Sequence, residues 1–120
     1  MNNQDFYPDF HALRKIKVVN GVEFKAIHRH VYQYILDLIQ NQGNGDSVAF
    51  NYDFLATEMG MNKKTVRQAT DAILAMGLIS ACKGRHSHLT FKAEVMPWEI
   101  KGLSEEDSEG IQKGWKEVYS

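Results

Sequence analysis

Cysteine and proline are scarce in this sequence: its 120 residues include one Cys and two Pro. The single cysteine, Cys82, excludes an internal disulfide and is typical of a reducing compartment. No apolar run approaches the ~20 residues of a membrane-spanning helix, and residues 1–5 are too polar for a secretory signal. We therefore expect a cytoplasmic protein with no membrane partner.

Sequence patterns typical of catalysis and metal binding are also missing. There is no glycine-rich phosphate loop, no facing pair of carboxylates and no zinc-ligand spacing. Cys82, His86 and His88 are close together, but a predicted turn separates the cysteine from the histidines and a fourth ligand is not evident. We expect no enzyme activity, no metal and no cofactor.

The overall composition is that of an ordinary globular domain, but the charge is unevenly distributed. Apolar residues make up 43% and charged residues 24%, which excludes wholesale disorder. Residues 60–92 hold six Lys or Arg and one Asp, a net charge of +5, whereas residues 104–120 hold five Asp or Glu and two Lys, a net charge of −3. A basic middle with an acidic tail indicates a localised anionic partner, although charge clusters are often only solvated faces.

The pair Asn20-Gly21 has two interpretations. It is the turn of a hairpin between residues 17–19 and 22–24, or Asn20 is the N-cap of a helix with Glu23 completing a capping box. We favour the helix, because apolar residues then repeat at steps of 3 or 4 along one face as far as about Gln42, before Gly43 and Gly45. These residues are Phe24, Ile27, Val31, Ile35 and Leu38.

Two further helices and three strands are predicted between residues 47 and 92. A short strand in residues 47–50 leads to Asn51, the N-cap of a helix that ends at Gly60, with Asp53 in its first turn and Phe50 and Leu55 as a hydrophobic staple. Asn62 caps the next helix, which reaches Met76. Residues 78–82 and 88–92 then predict an antiparallel hairpin around the polar residues 83–87.

The stretch 54–69, FLATEMGMNKKTVRQA, resembles a helix-turn-helix. Ala56 stands where the two helices meet, and Gly60 suits the left-handed backbone of the turn. The shared apolar interior consists of Leu55, Met59, Met61, Val66 and Ala69. This leaves one outer face on the third helix, with Lys63, Lys64, Arg67, Gln68 and Asp71.

The order of elements over residues 21–92 resembles a winged helix, as in small prokaryotic regulators and in replication proteins of plasmids and phages. The expected fold class is therefore mainly α with a small β-hairpin (α+β), a winged helix-turn-helix. The resemblance implies that the third helix enters the major groove of double-stranded DNA and that the hairpin tip reaches the backbone or the minor groove. The implied contacts are Asn62, Lys63, Lys64, Thr65, Arg67, Gln68 and Asp71 on the helix, and Lys83, Arg85 and His86 in the wing.

Two functions follow from the resemblance and the charges. The first is sequence-specific binding of duplex DNA, in transcriptional regulation or in plasmid or phage replication and maintenance. The alternative is a winged-helix module that binds another protein, such as a replisome or phage accessory factor, without base readout. The fold alone does not decide between them, because it serves both purposes.

Outside this domain (residues 21–92), we expect an N-terminal arm (1–20), with a short helix or strand near residues 10–19, and a C-terminal extension (93–120). The extension has a predicted helix from Ser104, with Ile111, Trp115 and Val118 as an apolar stripe that packs on its own core, on a partner subunit or on nothing. We expect a homodimer with contacts from residues 1–30 and 104–119, since a bare winged helix does not need so many aromatic residues. These are Phe6, Tyr7, Phe10, Trp98, Trp115 and Tyr119.

Overall fold

The computed structural model describes residues 11–42, 45–83 and 88–119. Its elements are, in order, a 3-10 helix (His11–Lys15), β1 (Val18–Val19), β2 (Val22–Glu23), α1 (Ala26–Gln42), β3 (Ser47–Phe50), α2 (Tyr52–Met59), α3 (Lys63–Met76), β4 (Ile79–Lys83), β5 (Leu89–Ala93), a 3-10 turn (Pro97–Glu99) and α4 (Glu105–Tyr119). The described residues thus form an α+β fold of four α-helices with small antiparallel sheets, which confirms the coarse fold class.

The predicted helix start at Asn20 is wrong, and the hairpin interpretation is confirmed. β1 and β2 pair antiparallel, with Val19 opposite Val22. Asn20 and Gly21 both have positive φ, of 50° and 79°, as a tight two-residue hairpin turn requires. An N-cap residue has an extended backbone instead, so Asn20 cannot start the helix, and α1 begins at Ala26.

The three-stranded sheet has the order β3-β5-β4, and both pairs of neighbouring strands are antiparallel. The predicted hairpin is therefore confirmed, with each strand one residue later than expected. β3 spans all four residues of the stretch in which a short strand is predicted. Phe50 in β3 stacks on Phe91 in β5, with ring centroids 4.4 Å apart, so β3 is held to the sheet by its side chains as well as by its backbone.

Capping residues begin and end α2 and α3 where the sequence predicts them. The Asn51 side chain accepts a hydrogen bond from the Phe54 N–H at 2.8 Å, and the Asn62 side chain accepts one from the Lys64 N–H at 2.7 Å. At the other ends, Gly60 and Gly77 have φ of 66° and 79° and close each helix in the left-handed conformation. These four residues thus mark the ends of both helices through contacts within their own turns.

A single hydrophobic core extends beyond the central elements. Leu13 and Ile16 belong to it, and so do Ile111 and Trp115 of α4. Residues on both sides of the boundaries predicted after residues 20 and 92 therefore share one core, and the first boundary falls inside the β1–β2 turn. The Tyr32 hydroxyl of α1 also donates to the Val95 carbonyl, which ties the segment after β5 to the central helix.

The helix expected from Ser104 is present as α4. The Ser104 hydroxyl accepts a hydrogen bond from the Asp107 N–H at 3.1 Å. Trp115 packs against Trp98 and Tyr119, with ring centroids 5.8 and 4.5 Å away. Of the three expected places for the apolar stripe, the structure shows the chain's own core. The homodimer stays a prediction, and Phe6, Tyr7 and Phe10 lie outside the described residues.

Candidate nucleic-acid interface

The contact between α2 and α3 has the predicted geometry. Ala56 is 6% exposed, and its carbonyl accepts the Met61 N–H at 3.0 Å across the turn. Leu55 and Val66 are fully buried between the two helices. A small residue at position 56 lets the helices approach, and Gly60 lets the chain reverse within three residues.

α3 separates a buried face from an exposed one. Val66, Ala69, Thr70 and Ile73 are buried in the core. The expected contact residues are all exposed: Asn62, Lys63, Lys64, Thr65, Arg67, Gln68 and Asp71. The sequence-predicted residues of this helix are therefore brought together on one surface, three of them cationic.

Two of these residues also have structural partners. The Asn62 side-chain oxygen caps α3, so its position is fixed by the helix start. The Lys63 ammonium lies 3.2 Å from the Asp53 carboxylate of α2, with both side chains more than half exposed. Such an exposed pair contributes little to stability. It does place a carboxylate beside Lys63, which partly offsets the positive charge of that side chain. Lys64 and Gln68 have no side-chain partner in the described part of the chain.

Tyr52 is a site residue that the sequence analysis missed. The Arg67 guanidinium carbon lies 5.9 Å from the centre of the Tyr52 ring, within the range of a cation–π contact. Tyr52 also contacts the core: its ring packs edge-on against the Phe91 ring, with the ring centroids 6.3 Å apart. Burial raises the pKa of the Tyr52 hydroxyl, the nearby Asp71 carboxylate adds to this, and Arg67 opposes it. Its only sequence signal was an aromatic residue at the first position of α2, which no periodicity relates to α3.

The hairpin between β4 and β5 is described only as far as its strands. Lys83 is exposed at the end of β4, opposite Leu89, and Leu89 is opposite Phe50 at the end of β3. Lys83 is therefore two strand spacings from Phe50 across the sheet, roughly 10 Å. Asn51, the residue after Phe50, leads directly into α2. Lys83 therefore lies at the sheet end where α2 begins. The predicted tip residues Arg85 and His86 lie outside the described residues.

Three kinds of feature are absent from the part of the chain that the structure describes. No group of three His, Cys, Asp or Glu side chains among residues 11–42, 45–83 and 88–119 could hold a metal ion. Of the helices in those same ranges, none combines the length and apolarity that crossing a membrane requires. Within them, no buried side-chain nitrogen or oxygen lacks a hydrogen-bond partner.

Comparisons of the chain with protein-family models, with curated proteins and with solved structures find no match.

Proposed function

We propose that this chain is a winged helix-turn-helix protein that binds duplex DNA, with the N-terminal half of α3 in the major groove and the β4–β5 hairpin beside the backbone. The observation that carries the proposal is the exposed face of α3. It presents Lys64, Arg67 and Gln68 outward while the opposite face is buried. Element order and the Asn62 cap support the same arrangement.

Each exposed side chain has a chemical counterpart on DNA. Arginine can pair with the edge of guanine and glutamine with the edge of adenine, whereas lysine mostly contacts phosphates. Arg67 is oriented by Tyr52, which suits a residue that reads a base. Lys64 lies in the first turn of α3 and is exposed, as a phosphate contact requires. This combination favours a sequence-specific protein, acting in transcriptional regulation or in plasmid or phage replication and maintenance.

Binding of random duplex at low and moderate salt tests the proposal. A double variant, Lys64→Gln with Arg67→Gln, should lower the magnitude of the slope of log K against log salt by about 0.9, the value for the one phosphate that Lys64 neutralises. The matched control, Lys101→Gln with Lys113→Gln, removes two exposed charges far from α3 in the sequence and should leave the slope unchanged. Equal slopes for the two variants would remove α3 from the interface.

Site selection separates base readout from general attraction. Arg67→Ala or Gln68→Ala should change the preferred sequence, since each good side-chain pair with a base contributes about 1–3 kcal/mol of discrimination. Lys64→Ala should weaken binding to all sequences similarly, and Lys63→Ala less so, because Asp53 shares its charge. No duplex binding at low salt would contradict the proposal and favour the protein-binding module.

A further inference from the structure

A second concentration of positive charge lies outside α3 and the wing. Residues 11–30 contain five Lys or Arg and one Glu, a net charge of +4 in a protein whose total is −1. The five cations come from three elements: the first 3-10 helix, the β1–β2 hairpin with its flanks, and the first turn of α1. They are Arg14, Lys15, Lys17, Lys25 and Arg29.

The fold gathers these cations on one continuous surface, which we call the N-terminal basic surface. It has two adjoining hollows. One is lined by Arg14, Lys15 and Lys17 together with Glu106 and Asp107, and the other by Lys17, Lys25 and Arg29 together with Glu23. Because Lys17 lines both, the charges form one band and not two separate spots.

Two of the five cations on this surface are ion-paired, and a third, Arg14, contacts the His11 ring. Lys15 is paired with the Asp107 carboxylate at 2.9 Å. Lys25 lies 3.4 Å from the Glu23 carboxylate, but both groups are more than half exposed, and such a pair is weak. Within the part of the chain that the structure describes, Arg14, Lys17 and Arg29 have no acidic partner.

Arg29 is also held in place. One of its guanidinium nitrogens donates to the Phe24 carbonyl at 3.1 Å, and the guanidinium lies over the Phe24 ring, 5.8 Å from its centre. An arginine guanidinium has five N–H donors, so the hydrogen bond to Phe24 leaves further donors for an anion. An ordered arginine loses less side-chain entropy on binding than a free one.

The chemistry of the surface favours a polyanion over a protein surface. Protein interfaces depend on large apolar or aromatic anchors. Of the described residues, only Val18 (58% exposed) and Phe54 (37%) are exposed large hydrophobic residues, and only Val18 lines this surface. Cations from three elements, with Val18 as the one exposed large hydrophobic residue beside them, match a phosphate backbone.

The N-terminal basic surface is distant from the base-reading half of α3. The Asn20 side chain donates to the Ala75 carbonyl at 3.3 Å, so the hairpin turn meets the last turn of α3. Lys17 lies at the opposite, open end of the hairpin, where its carbonyl accepts the Phe24 N–H at 2.8 Å. α3 itself is about 20 Å long, whereas the major groove is about 12 Å wide. When the N-terminal half of α3 occupies this groove, the N-terminal basic surface therefore lies toward the other end of the helix.

We propose that Arg14, Lys17, Lys25 and Arg29 bind a nucleic-acid phosphate backbone outside the groove that α3 occupies. The inference rests on the proposed function, because α3 supplies the first contact with DNA. The second contact is independent of sequence, since phosphates carry no base identity. The backbone belongs either to the flank of the same duplex or to a second duplex. In both cases the protein engages more DNA than one winged helix covers.

A double variant, Arg14→Gln with Lys17→Gln, tests this on two lengths of random duplex. On a duplex of about 32 bp, roughly three helical turns, the magnitude of the slope of log K against log salt should fall by about 1.8, at about 0.9 per phosphate. Lys101→Gln with Lys113→Gln is the matched control and should keep the wild-type slope. Lys17→Gln alone, with an expected change of about 0.9, replaces the double variant if circular dichroism shows that the latter is unfolded.

A duplex of about 12 bp, roughly one helical turn, distinguishes the two sources of phosphate. If the surface binds the flank of the same duplex, the variant and the wild type bind this short duplex equally. If it binds a second duplex, the wild type brings donor- and acceptor-labelled short duplexes together, and the variant loses the energy transfer.

The possible failures differ from one another. If Arg14→Gln with Lys17→Gln behaves like the control on both lengths while Lys64→Gln with Arg67→Gln weakens binding, the N-terminal basic surface is overturned and the α3 proposal stands. If the α3 variant has no effect and the Arg14 and Lys17 variant abolishes binding, the α3 proposal fails and this surface is the main DNA contact. If the wild type binds no duplex at low salt, both are overturned.

Discussion

The Tyr52 ring links Arg67 to the core. It contacts the Arg67 guanidinium on one side and the Phe91 ring on the other. Tyr52→Leu should lower affinity for a selected DNA site by roughly two- to fivefold, the equivalent of ~0.5–1 kcal/mol for an exposed cation–π contact. Tyr52→Phe keeps the ring and should bind like the wild type. Fluorescence anisotropy on the selected site measures both. Equal affinities for the Leu and Phe variants would show that Arg67 does not depend on the ring.

The stability of the fold should depend on pH through His28. Its ring is buried, and its Nδ1 has two competing neighbours: the Lys25 N–H at 3.1 Å, which needs an unprotonated nitrogen, and the Glu23 carbonyl oxygen at 3.0 Å, which needs a protonated one. Burial lowers the pKa of His28 below 6.5; the Glu23 carbonyl and carboxylate oppose this, and the Lys25 and Arg29 charges add to it. The unfolded chain therefore takes up the proton first as the pH falls.

The melting temperature should consequently be highest above pH 6.5 and decrease as the pH falls below that value. His28→Asn places a non-titrating acceptor near the Nδ1 position, so its melting temperature should vary less over the same range. Differential scanning calorimetry between pH 8 and 5 compares the two proteins. Parallel curves would exclude His28 as the source of the dependence.

Two glycines with opposite backbone conformations give a matched test of the α2–α3 turn. Gly60 has φ of 66°, and an added Cβ would meet nothing within 4 Å, so Gly60→Ala isolates the strain of the left-handed backbone, about 1–2 kcal/mol. Gly110 is inside α4 with equally open space, and Gly110→Ala should stabilise by about 1 kcal/mol. Urea unfolding measures both, and changes of the same sign would contradict this explanation.

Elements that depend on neighbours in sequence were predictable, and those that depend on distant partners were not. The caps Asn51, Asn62, Gly60 and Gly77 act within their own turns, so the limits of α2 and α3 could be predicted. Asn20-Gly21 suits both a cap and a hairpin locally, and its structure includes a contact with Ala75, 55 residues away.

The candidate site divides in the same way. The outer face of α3 follows from helical periodicity, and its exposed residues were predicted. The Tyr52–Arg67 contact and the N-terminal basic surface join elements that are not consecutive, and the pattern of one element does not reveal them. The favoured helix start at Asn20 also concealed the surface, because it assigned the hairpin residues to α1.

The C-terminal helix is a structural part of the domain. Trp115 is 7% exposed and packs on Trp98 and Tyr119, and the Tyr119 hydroxyl donates to the Asp37 carboxylate of α1. Trp115→Ala should cost about 3–5 kcal/mol, the usual loss for a buried large aromatic residue. Chemical denaturation measures it, with the exposed Lys113→Ala as a control in the same helix. A loss below 1 kcal/mol would show that α4 is not needed by the core.

The homodimer remains a prediction. Because Ile111 and Trp115 are buried in the core of their own chain, the dimer contacts must lie on other surfaces. Two copies on a twofold axis would double a contact of roughly 600–1,000 Å² and match a palindromic site. Sedimentation at tens of micromolar, alone and with DNA, should show the dimer. A monomer under both conditions would contradict it.

The ion pair between Lys15 and Asp107 joins residues 92 positions apart, and this spacing has a consequence during synthesis. Ribosomes add about 5–20 residues per second. Leu13 and the 3-10 helix around it therefore leave the ribosome roughly 5–20 s before their partners on α4 exist. During that interval Leu13 and Ile16 lack part of the core that later covers them, so the nascent chain is exposed to proteases and chaperones until α4 has been translated.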